Sequence, residues 1–138
     1  MTTPPRTDLS WLLEELVSGL PDAESAVLLS TDGLLMGRSA GLDQTEAERF
    51  AAMASAFHSL ARSAGSHFKA GGVCQTVVEL DRAVLFITAA GANACLALLA
   101  TESANMGMVA FEMNRTVQRV GSHLAVDSRP QPNGAPQP

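Results

Sequence analysis

Five side chains of this sequence could take part in nucleophilic or acid–base chemistry near neutral pH: His58, His67, His123, Cys74 and Cys95. An imidazole activates a thiol in many enzymes, and spacing alone leaves a pair of Cys74 with His58 open. No further catalytic motif accompanies that pair, and the two cysteines lack the C-x-x-C spacing of a redox or zinc half-site. We therefore predict that both cysteines are buried, reduced and structural, and that the histidines lie at the surface or at helix ends.

The sequence also lacks the glycine motifs that bind nucleotides. It contains no G-x-x-x-x-G-K-[ST], and no G-x-G-x-x-G follows a predicted strand. Gly71 and Gly72 precede a predicted strand rather than a helix, which is typical of a turn. Adjacent carboxylates such as Glu14 and Glu15 lie on predicted helix faces, where solvated charge is usual. We expect a protein that is not an enzyme and that holds no cofactor and no metal.

Composition and hydropathy exclude two classes of protein, namely nucleic-acid binders and proteins inserted in a membrane. Nine basic and fourteen acidic residues give a formal net charge of −5, the opposite of what a phosphate-binding nucleic-acid surface requires. One Trp and no Tyr leave little for base stacking. The longest apolar run, residues 94–100, is far too short to span a bilayer, and the N-terminus does not resemble a signal peptide. These features predict a cytoplasmic protein without direct membrane insertion.

Proline marks the expected domain edges. Six of the seven prolines lie within residues 1–7 or 127–138. Segments of this composition bury little apolar surface, so both are predicted to be disordered tails. The folded domain is expected to span residues 8–126.

The hydrophobic periodicity within this domain alternates between helical and strand patterns. Asp8 is the expected N-cap of the first helix, Asp32 and Gly33 form a hairpin turn, and residues 43–46 have the form of a capping box. The predicted elements are a helix at 8–20, strands at 25–30 and 34–39, a helix at 43–65, strands at 73–80, 83–89 and 94–100, and a helix from 105. Short turns make neighbouring strands antiparallel. The fold class is α+β, a five-stranded antiparallel sheet with three helices in the order αββαβββα.

The long middle helix has two distinct faces. Its predicted core stripe comprises Phe50, Met53, Ala54, Phe57, Leu60, Ala61 and Ala64. Its opposite face is small and polar, and comprises Glu48, Ser55, Ser59, Arg62 and Ser66. Small side chains let another backbone approach closely, and a five-stranded sheet has edges that must be covered or paired. Self-association through this helix and a sheet edge is therefore one interpretation, and a merely solvated face is the other.

Two segments in this order resemble the Roadblock/LC7 family. Residues 27–34 (VLLSTDGL) are similar to its strand–Asp-Gly–strand hairpin, and residues 104–109 (ANMGMV) to its Asn-x-Gly entry into the last helix. The resemblance covers nearly the whole predicted domain and implies a roadblock/longin/profilin-like sandwich. Eight arginines against one lysine are typical of a high-GC bacterium of the actinobacterial type.

The resemblance also implies partners and a function. Similar proteins form dimers, bind a Ras-like small GTPase and accompany a sensor-kinase-like membrane protein in bacteria. This chain is thus expected to be a homodimeric, non-catalytic scaffold or regulator that changes the hydrolysis or location of such a GTPase. The outer face of the paired long helices is the expected platform. Its predicted contact residues are Glu48, Arg49, Ser55, Ser59 and Arg62.

Two alternatives remain at this point. The first is a small-molecule-sensing module with a ligand pocket between sheet and helices, for which the strands offer only Gln75, Thr76 and Thr88 as polar groups. The second is a cysteine hydrolase that uses Cys74 or Cys95. A dimer in solution favours the scaffold, whereas a monomer whose melting temperature responds to a ligand favours the sensor.

Overall fold

The computed structural model of this chain describes residues 9–128, with side chains through residue 123. Its elements are α1 (Ser10–Gly19), β1 (Ala23–Ser30), β2 (Leu35–Arg38), α2 (Gln44–His67), β3 (Thr76–Glu79), β4 (Ala83–Ala89), β5 (Ala94–Thr101) and α3 (Met106–Ser128). The predicted order αββαβββα is confirmed. Residues 1–7, and 129–138 of the predicted C-terminal tail, lie outside the described residues, as does Asp8.

The five strands form one antiparallel sheet in the order β2-β1-β5-β4-β3. The first hairpin and the later three-stranded meander meet where β1 pairs with β5, from Ala23 opposite Ala100 to Ser30 opposite Ala94. This pairing joins segments about seventy residues apart in the chain and places β1, β5 and β4 in the centre. The prediction that the last two strands are central and buried on both faces is confirmed.

Successive residues of the central strands point to opposite faces of the sheet and supply two separate core layers. One layer includes Leu28, Phe86 and Leu96 and packs under α1 and α3. The other includes Val27 and Ile87 and packs under α2. Because both faces are covered, these strands are almost continuously apolar in sequence rather than alternating.

Local side-chain hydrogen bonds begin the two long helices. Asp43 Oδ1 accepts from the Glu46 N–H at 2.8 Å, which confirms the predicted N-cap of α2. Asn105 Oδ1 accepts from the Met108 N–H at 3.0 Å in the same manner at α3. The prediction for α1 is wrong, because this helix begins at Ser10 with Leu9 as an N-cap that makes no side-chain hydrogen bond. Leu9 itself is buried in the core.

The first hairpin turns at Asp32 and Gly33 as predicted, but through a longer loop than a two-residue turn. Gly33 has φ +94°, while Lys69 is the one non-glycine residue with positive φ among residues 9–128. Asp32 therefore does not adopt the left-handed conformation that a type I′ turn needs. Instead its carboxylate accepts a hydrogen bond from the Ser30 hydroxyl, and the Ser30 Oγ accepts from the Leu34 N–H at 3.0 Å.

The two edges of the sheet differ in how they are covered. At the β2 edge, α1 lies alongside: Ser10 Oγ accepts from the Arg38 N–H at 3.2 Å, and the Glu14 carboxylate accepts from the Ala40 N–H. At the other edge β3 pairs with β4 alone among the described strands. This strand is also shorter than predicted, since residues 73–75 lie outside it. One edge is thus protected, and the other presents its backbone groups outward.

Candidate functional site

The long helix α2 lies across one face of the sheet, and its outer surface carries the residues that were predicted to bind a partner. The side chains buried against the sheet are small or aromatic: Ala47, Phe50, Ala51, Ala54 and His58. At 100° of rotation per residue, the positions left exposed divide into two sides of the helix with different chemistry.

We call the first side the polar flank; it comprises Glu48, Ser55, Ser59 and Arg62. These residues fall within an arc of about 60° and extend about 21 Å along the helix axis. Ser55 is half-buried, because its hydroxyl donates to the Thr31 carbonyl at 3.0 Å and ties α2 to the first hairpin. Arg49 lies about 100° further round the helix than Glu48 and so points away from this flank. The structure therefore brings together four of the five predicted contact residues.

The second side is the apolar flank, which comprises Met53, Phe57 and Leu60. Met53 and Leu60 are 56% and 69% exposed, so their predicted place in the core stripe is wrong. Phe57 is half-buried and packs against the α2-facing core layer, as does Val78 of β3. The helix is rotated so that alanines and His58 meet the sheet, which leaves two large apolar side chains at the surface.

The side chains considered for catalysis differ in burial and in the ease with which they ionise. Burial raises the pKa of the Cys95 thiol to about 11, against a smaller opposing effect of the Arg62 charge, so the nucleophilic thiolate is disfavoured. Cys74 is exposed, which makes the prediction of two buried cysteines wrong for this residue. His58 is 5% exposed, so the prediction of a surface histidine is wrong here, and its Nδ1 has no hydrogen-bond partner among the described residues. His67 and His123 are exposed.

The structure gives little support to a ligand pocket between sheet and helices. Thr88 Oγ1 donates to the Cys74 carbonyl at 3.2 Å, and apolar side chains fill both layers around the sheet. The cavities described lie on the outer surfaces of α2, α1 and α3.

Among the described residues, no three His, Cys, Asp or Glu side chains are grouped as a metal site would need. Within residues 9–128, no helix has both the length and the apolar character that crossing a bilayer requires.

The sequence and the fold match one family of known proteins. The family model of the Roadblock/LC7 domain matches residues 9–100. A Roadblock/LC7 domain from Streptomyces avermitilis is 45% identical, with a TM-score of 0.82 over 86% of this chain and 98% of that one. The chain belongs to the Roadblock/LC7 family. The resemblance seen in the sequence is thereby confirmed.

Further solved structures place this Roadblock/LC7 chain in a broader fold group. A second Streptomyces Roadblock/LC7 domain is 35% identical, with a TM-score of 0.68 over 83% of this chain and 99% of that one. MglB from Myxococcus xanthus has a TM-score of 0.77 over 86% of this chain and 95% of its own, but at 12% identity it shows a shared fold alone. Among proteins with curated descriptions, none matches this chain closely enough to count as a relative.

Sequence reasoning missed two features of this Roadblock/LC7 domain. The first is the apolar flank, because Met53 and Leu60 fit a helical core stripe as well as any buried residue does. The available signal was the abundance of alanine on the neighbouring stripe, which allows α2 to approach the sheet on a different face. The second is the burial of His58, which a Ser- and Ala-rich surrounding sequence does not indicate.

Buried His58 makes the stability of the domain depend on pH. Desolvation, and secondarily the positive charge of Arg62, lower the pKa of this imidazole below its usual value of 6.5. The unfolded chain therefore binds a proton below pH 6.5 that the folded chain does not, and the free energy of unfolding falls as the pH falls through this range. One such proton contributes a slope of about 1.4 kcal/mol per pH unit until the folded pKa is reached.

We expect His58→Leu to remove this contribution. Urea unfolding at several pH values between 5 and 8 measures the effect, and the wild type and variant should converge in slope above pH 7. His67→Gln, at an exposed position of the same helix, serves as the control and should keep the wild-type dependence. An unchanged slope in His58→Leu would contradict the assignment.

Proposed function

We propose that this chain is a non-catalytic regulatory or scaffold protein that forms a homodimer and binds a Ras-like small GTPase. The observation that carries the proposal is the surface of α2, where an apolar flank and a polar flank lie on opposite sides of the exposed helix surface in a member of the Roadblock/LC7 family. An exposed apolar side chain is ordinary when it stands alone, but two on one flank beside an unpaired strand favour association.

The open β3 edge and the apolar flank together provide a self-complementary surface. A two-fold axis beside β3 would pair this strand with its copy and extend the sheet, as antiparallel edges do in other proteins. The same axis would bring the Met53 and Leu60 side chains toward those of the second chain, which removes apolar surface from water. The β2 edge is less suited to this role because α1 already uses its backbone groups.

The polar flank is the proposed platform for the GTPase. It presents Glu48 near the start of α2 and Arg62 near its end, so a partner would meet opposite charges about 21 Å apart. Glu48 already accepts a hydrogen bond from Gln44 at 2.8 Å, which orders its carboxylate. A surface of this kind would act by ordering the partner's own catalytic loop rather than by supplying a nucleophile. The sensor-kinase-like membrane partner stays a prediction.

Charge reversal along the polar flank tests the GTPase proposal. Glu48→Arg and Arg62→Glu are each expected to weaken binding of the Ras-like GTPase encoded nearby by at least tenfold. Each variant replaces an attraction with a like-charge contact. Calorimetric titration with the GDP- and GTP-analogue-bound forms measures the effect. Gln118→Arg, on α3 across the sheet, is the control and should bind as the wild type does; equal affinity of all four proteins would overturn the platform.

A further inference from the structure

A polar cavity of about 760 Å³ lies at the C-terminal end of α2. The side chains around it all carry hydrogen-bond donors: Ser59, Arg62, Ser63, Ser66 and Lys69. Its volume falls in the range of small-ligand sites, but no apolar or aromatic side chain lines it, unlike most such sites. Its chemistry is therefore suited to a compact, highly polar ligand.

The side chains around the cavity carry net positive charge, which outweighs the partial negative charge of about −0.5 at the C-terminal end of α2, although the formal net charge of the protein is −5. Arg62 and Lys69 contribute two cations, and no carboxylate lies among the lining residues. Within residues 9–123, the ion pairs join Arg115 to Glu112 and Arg119 to Glu15, and neither involves Arg62 or Lys69. Two cations that share a cavity without a counter-charge repel one another, and an anion between them would reverse that cost.

The backbone places Lys69 at the cavity in an unusual way. α2 ends in a Schellman turn, in which the Lys69 N–H donates to the Ser66 carbonyl and the Ala70 N–H to the Gly65 carbonyl. The residue at the position of Lys69 must adopt a left-handed conformation, and here its φ is +54°. Glycine is the usual occupant of this position, because it has no Cβ to clash with the backbone. A long cationic side chain stands here instead, where it lines the cavity.

Glycine shapes the floor of the same cavity. The loop after Lys69 folds back against the helix, so that a Cβ on Gly65 would lie 2.2 Å from the Gly71 carbonyl oxygen. The absence of side chains at Gly65, Gly71 and Gly72 leaves the space between the two cations and the serine hydroxyls unfilled. The cavity is consequently built by the turn itself and does not depend on a flexible side chain moving aside.

From this arrangement we infer that the α2 C-terminal cavity binds a small phosphate-class oxyanion, such as phosphate or pyrophosphate. Arg62 supplies a planar set of N–H donors that matches two oxygens of one phosphate group, and Lys69 supplies a point charge. The serine hydroxyls provide further donors to the remaining oxygens. The same phosphate chemistry occurs free or at the end of a nucleotide. A free anion fits better, because no aromatic side chain lines the cavity to stack on a base.

This site shares Ser59 and Arg62 with the proposed GTPase platform and is otherwise separate from it. Glu48 lies about 21 Å from Arg62 along α2, and Lys69 does not belong to the polar flank. A loss of GTPase binding in Glu48→Arg therefore reports on the platform alone. A loss of anion binding in Lys69→Gly reports on the cavity alone.

Isothermal titration of the full chain with phosphate, pyrophosphate and GDP, at constant ionic strength set with chloride, tests the inference. We expect pyrophosphate to bind more tightly than phosphate, and GDP no more tightly than pyrophosphate. Lys69→Gly and Arg62→Gln are each expected to weaken pyrophosphate binding at least tenfold. Arg115→Gln, on the far side of the sheet, is the control and should bind as the wild type does.

Thermal melting separates a binding role of Lys69 from a structural one. Lys69→Gly places the favoured residue in the left-handed position, so its melting temperature should equal or exceed that of the wild type. Lost binding with a maintained melting temperature supports the site. Pyrophosphate affinity that is unchanged in both cavity variants, or undetectable in the wild type, would overturn it. GDP binding tighter than pyrophosphate would overturn the preference for a free anion.

Discussion

A variant that carries both Met53→Glu and Leu60→Glu is expected to be a monomer under conditions where the wild type is a dimer. Both side chains are exposed in the single chain, so the charges cost little in the monomer itself. In the proposed dimer the same positions approach their symmetry mates, and four carboxylates would lose water next to one another. We expect the dissociation constant to rise at least a hundredfold.

Size-exclusion chromatography with light scattering over a hundredfold range of concentration measures this change. Phe111→Glu is the matched control, since Phe111 is 61% exposed but lies on α3, across the sheet from the apolar flank. It should leave the dimer intact. A dimeric double variant, or a wild type that stays monomeric throughout the range, would contradict the proposed interface without bearing on the GTPase platform or on the anion site.

Truncation of Phe86 to alanine is expected to lower the free energy of unfolding by about 3–5 kcal/mol, the usual cost of emptying a large core site. Phe86 is 1% exposed on β4 and packs in the core layer under α1 and α3. Since domains of this size are stable by about 5–15 kcal/mol, this one change would remove much of the total.

Urea denaturation of the folded chain provides the measurement, with Phe111→Ala as the same substitution at an exposed site. That control should shift the free energy of unfolding by no more than about 0.5 kcal/mol. A similar loss of unfolding free energy in both variants would contradict the assignment of Phe86 to the core.

The success of the sequence-based prediction differs between local and long-range features. The capping group of α2 and the Asp32–Gly33 turn are determined by neighbouring residues, because each depends on hydrogen bonds or backbone conformations a few positions apart. Both ends of β4 were predicted to the residue for the same reason, since the turns on either side of an apolar run define where the strand begins and ends. Residues 73–75 also fit a strand pattern, yet β3 begins at Thr76, where pairing with Ile87 begins.

The candidate site was predicted in its residues but not in its arrangement. Glu48, Ser59 and Arg62 share the polar flank because helical spacing alone places them together. Arg49 was included with them although one residue's step turns it about 100° away. The exposure of Met53 and the burial of His58 depend on the rotation of α2 against the sheet. That rotation is chosen by packing alanines closely against β1, β4 and β5, and no local pattern specifies it.

By itself the sequence determined the element order, the two-layered burial of the central strands and the membership of a family, because each follows from periodicity, turn chemistry and short motifs. Tertiary structure alone decided that β1 joins β5, that the β2 edge is covered while the β3 edge is open, and that Lys69 and Arg62 line one cavity together with three glycines. Those outcomes depend on contacts between segments far apart in the chain, whose free energy is set by packing of the whole domain and not by any neighbouring residue.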